Sequence, residues 1–407
     1  MKVLIVAINC APEPTGVGKY VGEMLHWLRE AGHEVQVITA PPHYPAWRVW
    51  SGYSGRRYHR EWLEGARVYR CPIYVPESPS GARRVLHLIS FALSSAPLCL
   101  WHGVRWRPDV VFVVAPALLS AVGAWAGARL GGAKAWLHVQ DFEIDAAFEL
   151  GLLRSKLLRR IVTSAENFLL RRFDRVSSIS RRMLDRLGRK HVIEQRRYLF
   201  PNWVDSTDIR PLDGSPRLRQ ELGLSGDRLV YLYSGTLGAK QGLEIIIGAA
   251  RALERDARML FLICGEGPAR VPLERMASGL PNVSFVGLQP RDRLNELLNL
   301  ATVHLLPQRE DVEDLVLPSK LSAMMASGKP VIATAREGTE LARVLRSGGV
   351  VVPPGDVHAF VLACTRLAAD GALRRTLGAA GRAFAVDAWD KQEVLAAAFS
   401  PQSIAAL

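Results

Sequence analysis

Eleven short runs of β-branched and apolar residues, spaced by longer stretches of helical period, constrain this chain more than any other feature. The first five read KVLIVAI, EVQVITA, VVFVVAP, KAWLHV and RVSSIS. The next six read RLVYLYSG, MLFLICG, VSFVG, VHLLP, KPVIATA and GVVVPP. Strands that alternate with helices build parallel βαβ units, because a parallel pair needs a crossover long enough for a helix. GKYVGEMLHWLREAGHE shows the helical period, with Val21, Met24, Leu25 and Leu28 on one face and Gly32 as its stop. The polar connector PNWVDSTDIRPLDGSPRLRQELGLSGDR interrupts the alternation once. The expected fold is therefore α/β: two Rossmann-like sheets in tandem, residues 1–205 and 206–387, joined near residues 203–215. Ligands of such sheets sit beyond the carboxyl ends of the strands. Two sheets facing each other would offer a cleft with a donor wall and an acceptor wall.

Charge divides the chain unevenly. Residues 1–205 hold 29 Lys+Arg against 17 Asp+Glu, so nearly all of the net charge of +13 lies there. It is densest between Arg154 and Arg197. Solvated helix faces and a basic field toward anionic lipid or a pyrophosphate-linked acceptor both fit this density. Nucleic acid is not expected, since no helix-turn-helix, zinc finger or RNP-like motif accompanies it. The five cysteines are scattered without metal-ligand spacing, as in a reduced, cytoplasmic protein. The N-terminal apolar run is too short for a secretory signal. Val85–Val104 and Val110–Ala128 pass the rough threshold of about 18 residues for a membrane span. The first is diluted by His87, Pro97 and His102, and the second splits into a strand and a small-residue helix, so neither is expected to span. Val85–Val104 is read as a core helix, with a helix lying in a membrane surface between Arg83, Arg84, Arg105 and Arg107 as the alternative.

Four places carry candidate chemistry. Gly16 and Gly18 precede the first helix, where missing side chains and the helix start suit a diphosphate. Their spacing, GxGxxxG after a long loop, and the lack of an acid after VITAPP argue against a nicotinamide cofactor. YSGTLGAKQGLE repeats the theme with Gly235, Gly238 and Lys240, without the order of a Walker loop. Ser319 and Lys320 open a later helix, where the serine is expected to cap the first turn and the lysine to face a second phosphate or ribose. His138 ends a strand and is followed by Asp141, Glu143 and Asp145; a strand-end histidine over a cleft can donate to a developing charge or hold a sugar hydroxyl. The three acids lack a convincing ligand set, so no metal is expected.

Taken together these stretches resemble the family-4 glycosyltransferases of GT-B fold. The resemblance rests on PEPTGVGKY, GHEVQVIT, RPDVVFV, PNWVD, YSGTLGAKQGLE, LICGEGP, NVSFVGLQPRDRLNELLNLATVHLLP and ASGKPVIAT, in that order. HVQDFEIDAAFELG and LPSKL look most like colanic-acid and O-antigen fucosyl- or amino-sugar transferases of bacterial envelopes. The resemblance implies a retaining, metal-independent transfer from an NDP-sugar, GDP- or UDP-linked, without a resident cofactor. A fucose-type donor and an undecaprenyl-pyrophosphate-linked saccharide acceptor, met at the inner face of the plasma membrane, are the expected partners. By position, Gly16 and Gly18 approach the diphosphate, His138 the transferred sugar and Lys240 the phosphates, with His138 and Lys240 as the catalytic pair. Gly235, Gly238, Gly265, Gly267, Ser319 and Lys320 line the donor, and Asp141 and Glu143 the acceptor side. The C-terminal segment 388–407, which contains Trp389, is expected to pack back on the first domain. Two departures stand out: Leu315 and Ala323 replace a pair of family glutamates, and Thr236 and Leu237 stand where an arginine is common. A GT-B nucleotide-sugar 2-epimerase and a non-catalytic scaffold of a polysaccharide assembly are the alternatives.

Overall fold

The computed structural model describes residues 1–77, 81–142, 156–214, 217–224, 228–238, 241–310 and 317–407. The chain forms two units, Met1–Pro201 with Leu395–Leu407, and Asn202–Val394.

The first unit is an eight-stranded sheet: β1 (Lys2–Ala7), β2 (Glu34–Thr39), β3 (His59–Leu63), β4 (Ala66–Arg70), β5 (Val110–Ala115), β6 (Lys134–Val139), β7 (Arg175–Ser178) and β8 (Arg197–Leu199). The order is β3-β4-β2-β1-β5-β6-β7-β8. Every pairing is parallel except β3 with β4. That hairpin was not visible as strands, because HREWLEGARVYR has no β-branched run. Its two-residue turn is set by Glu64 and Gly65, both at positive φ, which suits the twist of a tight hairpin. β5 is buried at all six positions, as expected of a central parallel strand covered on both faces. Helix α1 (Gly16–Glu30) buries Val21, Met24, Leu25 and Leu28, and Gly32 follows at φ +79°.

Helix α2 (Gly81–Arg105) departs from the core-helix expectation. It turns only His87, Phe91, Ser95, Cys99, His102 and Gly103 inward. Its partner is α3 (Ser120–Gly131), and the two touch backbone to backbone. A Cβ on Gly103 would fall 2.1 Å from the Gly127 carbonyl, and one on Gly127 2.3 Å from that of Cys99. Among the described residues α2 is the one helix long and apolar enough to cross a membrane, yet it lies along this unit with most of its surface outward. Helices α4 (Lys156–Leu170) and α5 (Arg181–Arg189) follow β6 and β7. The terminal residues Leu395–Leu407 complete this unit: Phe399 packs on Trp136 and Trp27, and the Arg175 guanidinium donates to the Ser403 hydroxyl and carbonyl.

The second unit is a six-stranded, wholly parallel sheet: β9 (Leu229–Ser234), β10 (Met259–Cys264), β11 (Val283–Val286), β12 (Val303–Leu306), β13 (Val331–Thr334) and β14 (Gly349–Val352). The order β11-β10-β9-β12-β13-β14 reverses direction at β9, so its carboxyl end is a topological switch point. Trp389, expected against the first unit, instead packs in this unit's core with Val204, Ile209 and Met325. The Val204 amide donates to the Trp389 carbonyl at 2.8 Å and the Lys391 amide to the Val204 carbonyl at 2.9 Å, which ties the unit's first and last segments together.

Candidate functional site

The second unit gathers most of the expected donor residues at the carboxyl ends of β9 and β10. The loops leaving these strands are stitched backbone to backbone. The Gly235 amide donates to the Cys264 carbonyl, the Leu237 amide to that of Glu266, and the Ala269 amide to that of Leu237, each at 2.9 Å. Glycine is required at this seam. A Cβ on Gly265 would lie 1.9 Å from the Gly235 carbonyl oxygen, and one on Gly267 2.3 Å from that of Leu237. The glycines thus hold loop against loop, and the Gly235 and Gly265 amides are engaged by Cys264 and Val286 rather than offered to a phosphate. Gly238 lies beside the Gln241 side chain.

Lys320 reaches this seam from the other side of β9. It begins a short helix, Lys320–Ala326. Its Nζ lies 4.0 Å from the centroid of the Tyr233 ring and 3.3 Å from the position of a Cβ on Gly235. The Tyr233 hydroxyl in turn donates to the Thr236 carbonyl at 2.7 Å, fixing the ring under the loop. Burial pushes the Lys320 ammonium down to about 7, so its charge is poised to respond to an arriving anion. Ser319, by contrast, does not cap: it is already in the helical region, without a side-chain cap bond, and its carbonyl accepts from the Ser322 hydroxyl. Ala323, in place of a family glutamate, packs against apolar core. Lys240, Glu143, Asp145 and Leu315 lie outside the described residues.

The first unit's candidates have a different local logic. Gly16 stands at φ +60° at the head of α1, a backbone position that glycine suits. Gly18 makes room for Glu13: a Cβ there would meet the Glu13 Cβ at 2.7 Å. The buried Glu13 carboxylate accepts from the Asn9 side chain and from the His43 and Tyr44 amides, all at 2.8 Å. Sequence reasoning missed Glu13, because no pattern shows that it folds beneath the loop it belongs to.

His138 is not the open strand-end group that was expected. It is 3% exposed, stacked on Phe112, edge-on to Phe200, and 2.9 Å from the Ser177 hydroxyl through Nδ1. Desolvation pushes its pKa down to about 3, which favours the neutral ring. The reason is local: β6 lies between β5 and β7, and the same face carries Trp136 and its aromatic neighbours. Asp141 lies just beyond, lining a small hollow with Val139, Phe142 and Glu166. The Glu166 carboxylate is held by Lys190 at 2.6 Å in a buried ion pair that the charge run Arg154–Arg197 concealed.

Two α/β sheets in tandem, parallel but for one edge hairpin, with a glycine seam and a lysine at the second sheet's switch point, are the architecture of the GT-B class, and comparison with known proteins gives the family. Residues 15–203 match the Glycosyl transferase 4-like domain and residues 228–370 the Glycosyl transferases group 1 domain. The chain belongs to this glycosyltransferase family. It is 43% identical over 373 residues to the putative colanic acid biosynthesis glycosyl transferase WcaI of Escherichia coli K12, covering 89% of this chain and 90% of that one. Its fold is similar to sucrose-phosphate synthase of Thermosynechococcus elongatus, at TM-score 0.74, 20% identity and full coverage of both chains. It is likewise similar to Anabaena HepE in complex with UDP-glucose, at TM-score 0.68, 14% identity, 100% of this chain and 98% of that one.

The seam makes a direct prediction. Gly265→Ala forces the Gly235 loop away from β10 and should cost roughly 1–3 kcal/mol. It should also abolish most nucleotide-sugar affinity, read by calorimetry alongside thermal melting. Unchanged melting and unchanged affinity would show that the close contact carries no weight.

Proposed function

We propose that this glycosyltransferase moves a sugar from a GDP- or UDP-linked donor to a lipid-linked saccharide during synthesis of a bacterial envelope polysaccharide. The observation that carries the donor half is Lys320, held over Tyr233 against the glycine seam at the switch point of the second sheet. A partly desolvated cation at that place stabilises a leaving diphosphate more than one in bulk water would. The likeness to WcaI supports the envelope-polysaccharide setting, and the likeness to HepE with UDP-glucose supports the nucleotide-sugar donor. Transfer breaks the bond between the sugar's anomeric carbon and the diphosphate oxygen and forms one to an acceptor hydroxyl. The hydroxyl proton leaves with the diphosphate. Retention of configuration and independence of metal follow the family expectation. Lys240, Ser319, Gly16 and Asp141 keep their proposed places on the donor and acceptor sides; His138, packed and neutral, is proposed to support the β6 end rather than transfer a proton. An undecaprenyl-pyrophosphate-linked acceptor would be met at the cytoplasmic face of the plasma membrane. No feature of the described residues favours the epimerase or scaffold alternatives over transfer.

A panel of GDP- and UDP-sugars tests the donor. Lys320→Met should weaken NDP-sugar binding by about tenfold or more, the scale of one lost charge-assisted contact, and leave free nucleoside binding unchanged. Equal losses for both would remove Lys320 from the phosphate site. The pH dependence has a definite sign. Lys320 is protonated below about 7 in the free protein, and a bound diphosphate raises its pKa. Affinity should therefore be level below pH 7 and fall as pH rises above it, by up to about tenfold per unit. The Lys320→Met protein should show no such fall. Turnover in EDTA should match turnover in added magnesium; loss in EDTA with recovery on metal addition would overturn metal independence.

A further inference from the structure

The outward face of α2 is apolar along nearly its whole length. Leu86, Ile89, Leu93, Leu100, Trp101 and Val104 are all exposed, Leu93 at 71% and Trp101 at 60%. These positions recur at helical spacing opposite the inward set and span about 27 Å at 1.5 Å per residue. A helix face that meets only water carries polar residues, and a contiguous apolar stripe of this extent marks a surface that meets something else. Val122 and Leu130 of α3, and Leu119 just before it, are exposed as well. The glycine contacts between α2 and α3 leave the pair no slack to turn that face inward.

Charge selects the occupant. Neither α2 nor α3 contains an acidic residue, while Arg83 and Arg84 stand at the start of the α2 stripe and Arg105 and Arg107 at its end. A second copy seated on this stripe about a twofold axis would bring arginines against arginines, whether the helices ran parallel or antiparallel. Anionic lipid headgroups complement both ends, since arginine stems lie along apolar surface while their guanidiniums reach phosphate. Trp101 suits the same boundary, with an apolar ring and one polar N–H.

We propose that α2, backed by α3, seats in the plane of an anionic bilayer, its apolar stripe in the acyl boundary and its terminal arginines at the headgroups. The assignment names the lipid-facing surface that the proposed lipid-linked acceptor calls for, but it does not depend on donor chemistry. The test is co-sedimentation of the 407-residue chain with phosphatidylcholine vesicles, with and without phosphatidylglycerol. Wild-type protein should partition to the anionic vesicles and be released by salt. Leu93→Asp with Trp101→Asp should lower partitioning by about tenfold or more. Arg83→Gln with Arg105→Gln should remove the preference for phosphatidylglycerol. Both pairs are solvent-facing, so melting temperature and NDP-sugar binding should stay at wild-type values. That separates failure here from failure of the donor reading. Partitioning that ignores both pairs of substitutions, or no partitioning at all, would overturn the proposal. So would a concentration-dependent dimer that Leu93→Asp dissolves, which would give the face to a second copy.

Discussion

Backbone packed on backbone is the constraint on which the candidate site depends. Where β9 and β10 end, the Gly235 carbonyl fills the space a side chain on residue 265 would need, and the Leu237 carbonyl does the same for residue 267. At this switch point the connections of β9 and β12 leave to opposite sides, and the glycine seam ties the β9 exit loop to that of β10 on one side of the opening. Tyr233 sits under that seam, and Lys320 lies on Tyr233. Loosening the seam would move the ring, and with it the ammonium, so position and charge at this site share one cause.

The same device recurs in the first unit with a different result. Gly103 and Gly127 let α2 and α3 close to backbone contact, which fixes the outward direction of an apolar face. Gly18 admits Glu13, whose carboxylate ties the loop after β1 to the His43–Tyr44 segment. In each case glycine is needed for what approaches it from within the protein. A phosphate is not needed to explain Gly18, Gly265 or Gly267.

Much of this architecture was legible in the chain. The eleven β-branched runs all became strands, because parallel strands buried on both faces must be continuously apolar. The β3–β4 hairpin and β8 escaped notice, being short, polar and at one or other edge of the sheet. Direction was harder to read than identity. A strand-end histidine and an uncharged helix carry no mark of which way they face, so His138 proved buried, and α2 turned most of its surface outward, against the core-helix reading of the two it allowed. Lys320 was marked by its place beside loop signals, but its support by Tyr233, 87 positions earlier, required the register of β9 against β12. Glu13 and the Glu166–Lys190 pair gave no local signal, since each is defined by what it meets across the fold.

The central claim is that Lys320 gains its charge as the donor's diphosphate arrives. Calorimetric titration of an NDP-sugar at pH 8, repeated in buffers of different ionisation enthalpy, reads that event directly, because the diphosphate diester itself does not titrate there. The account predicts net proton uptake approaching one per donor bound in the wild-type protein, and none with Lys320→Met. Binding without proton uptake, or uptake that persists in the variant, would contradict it.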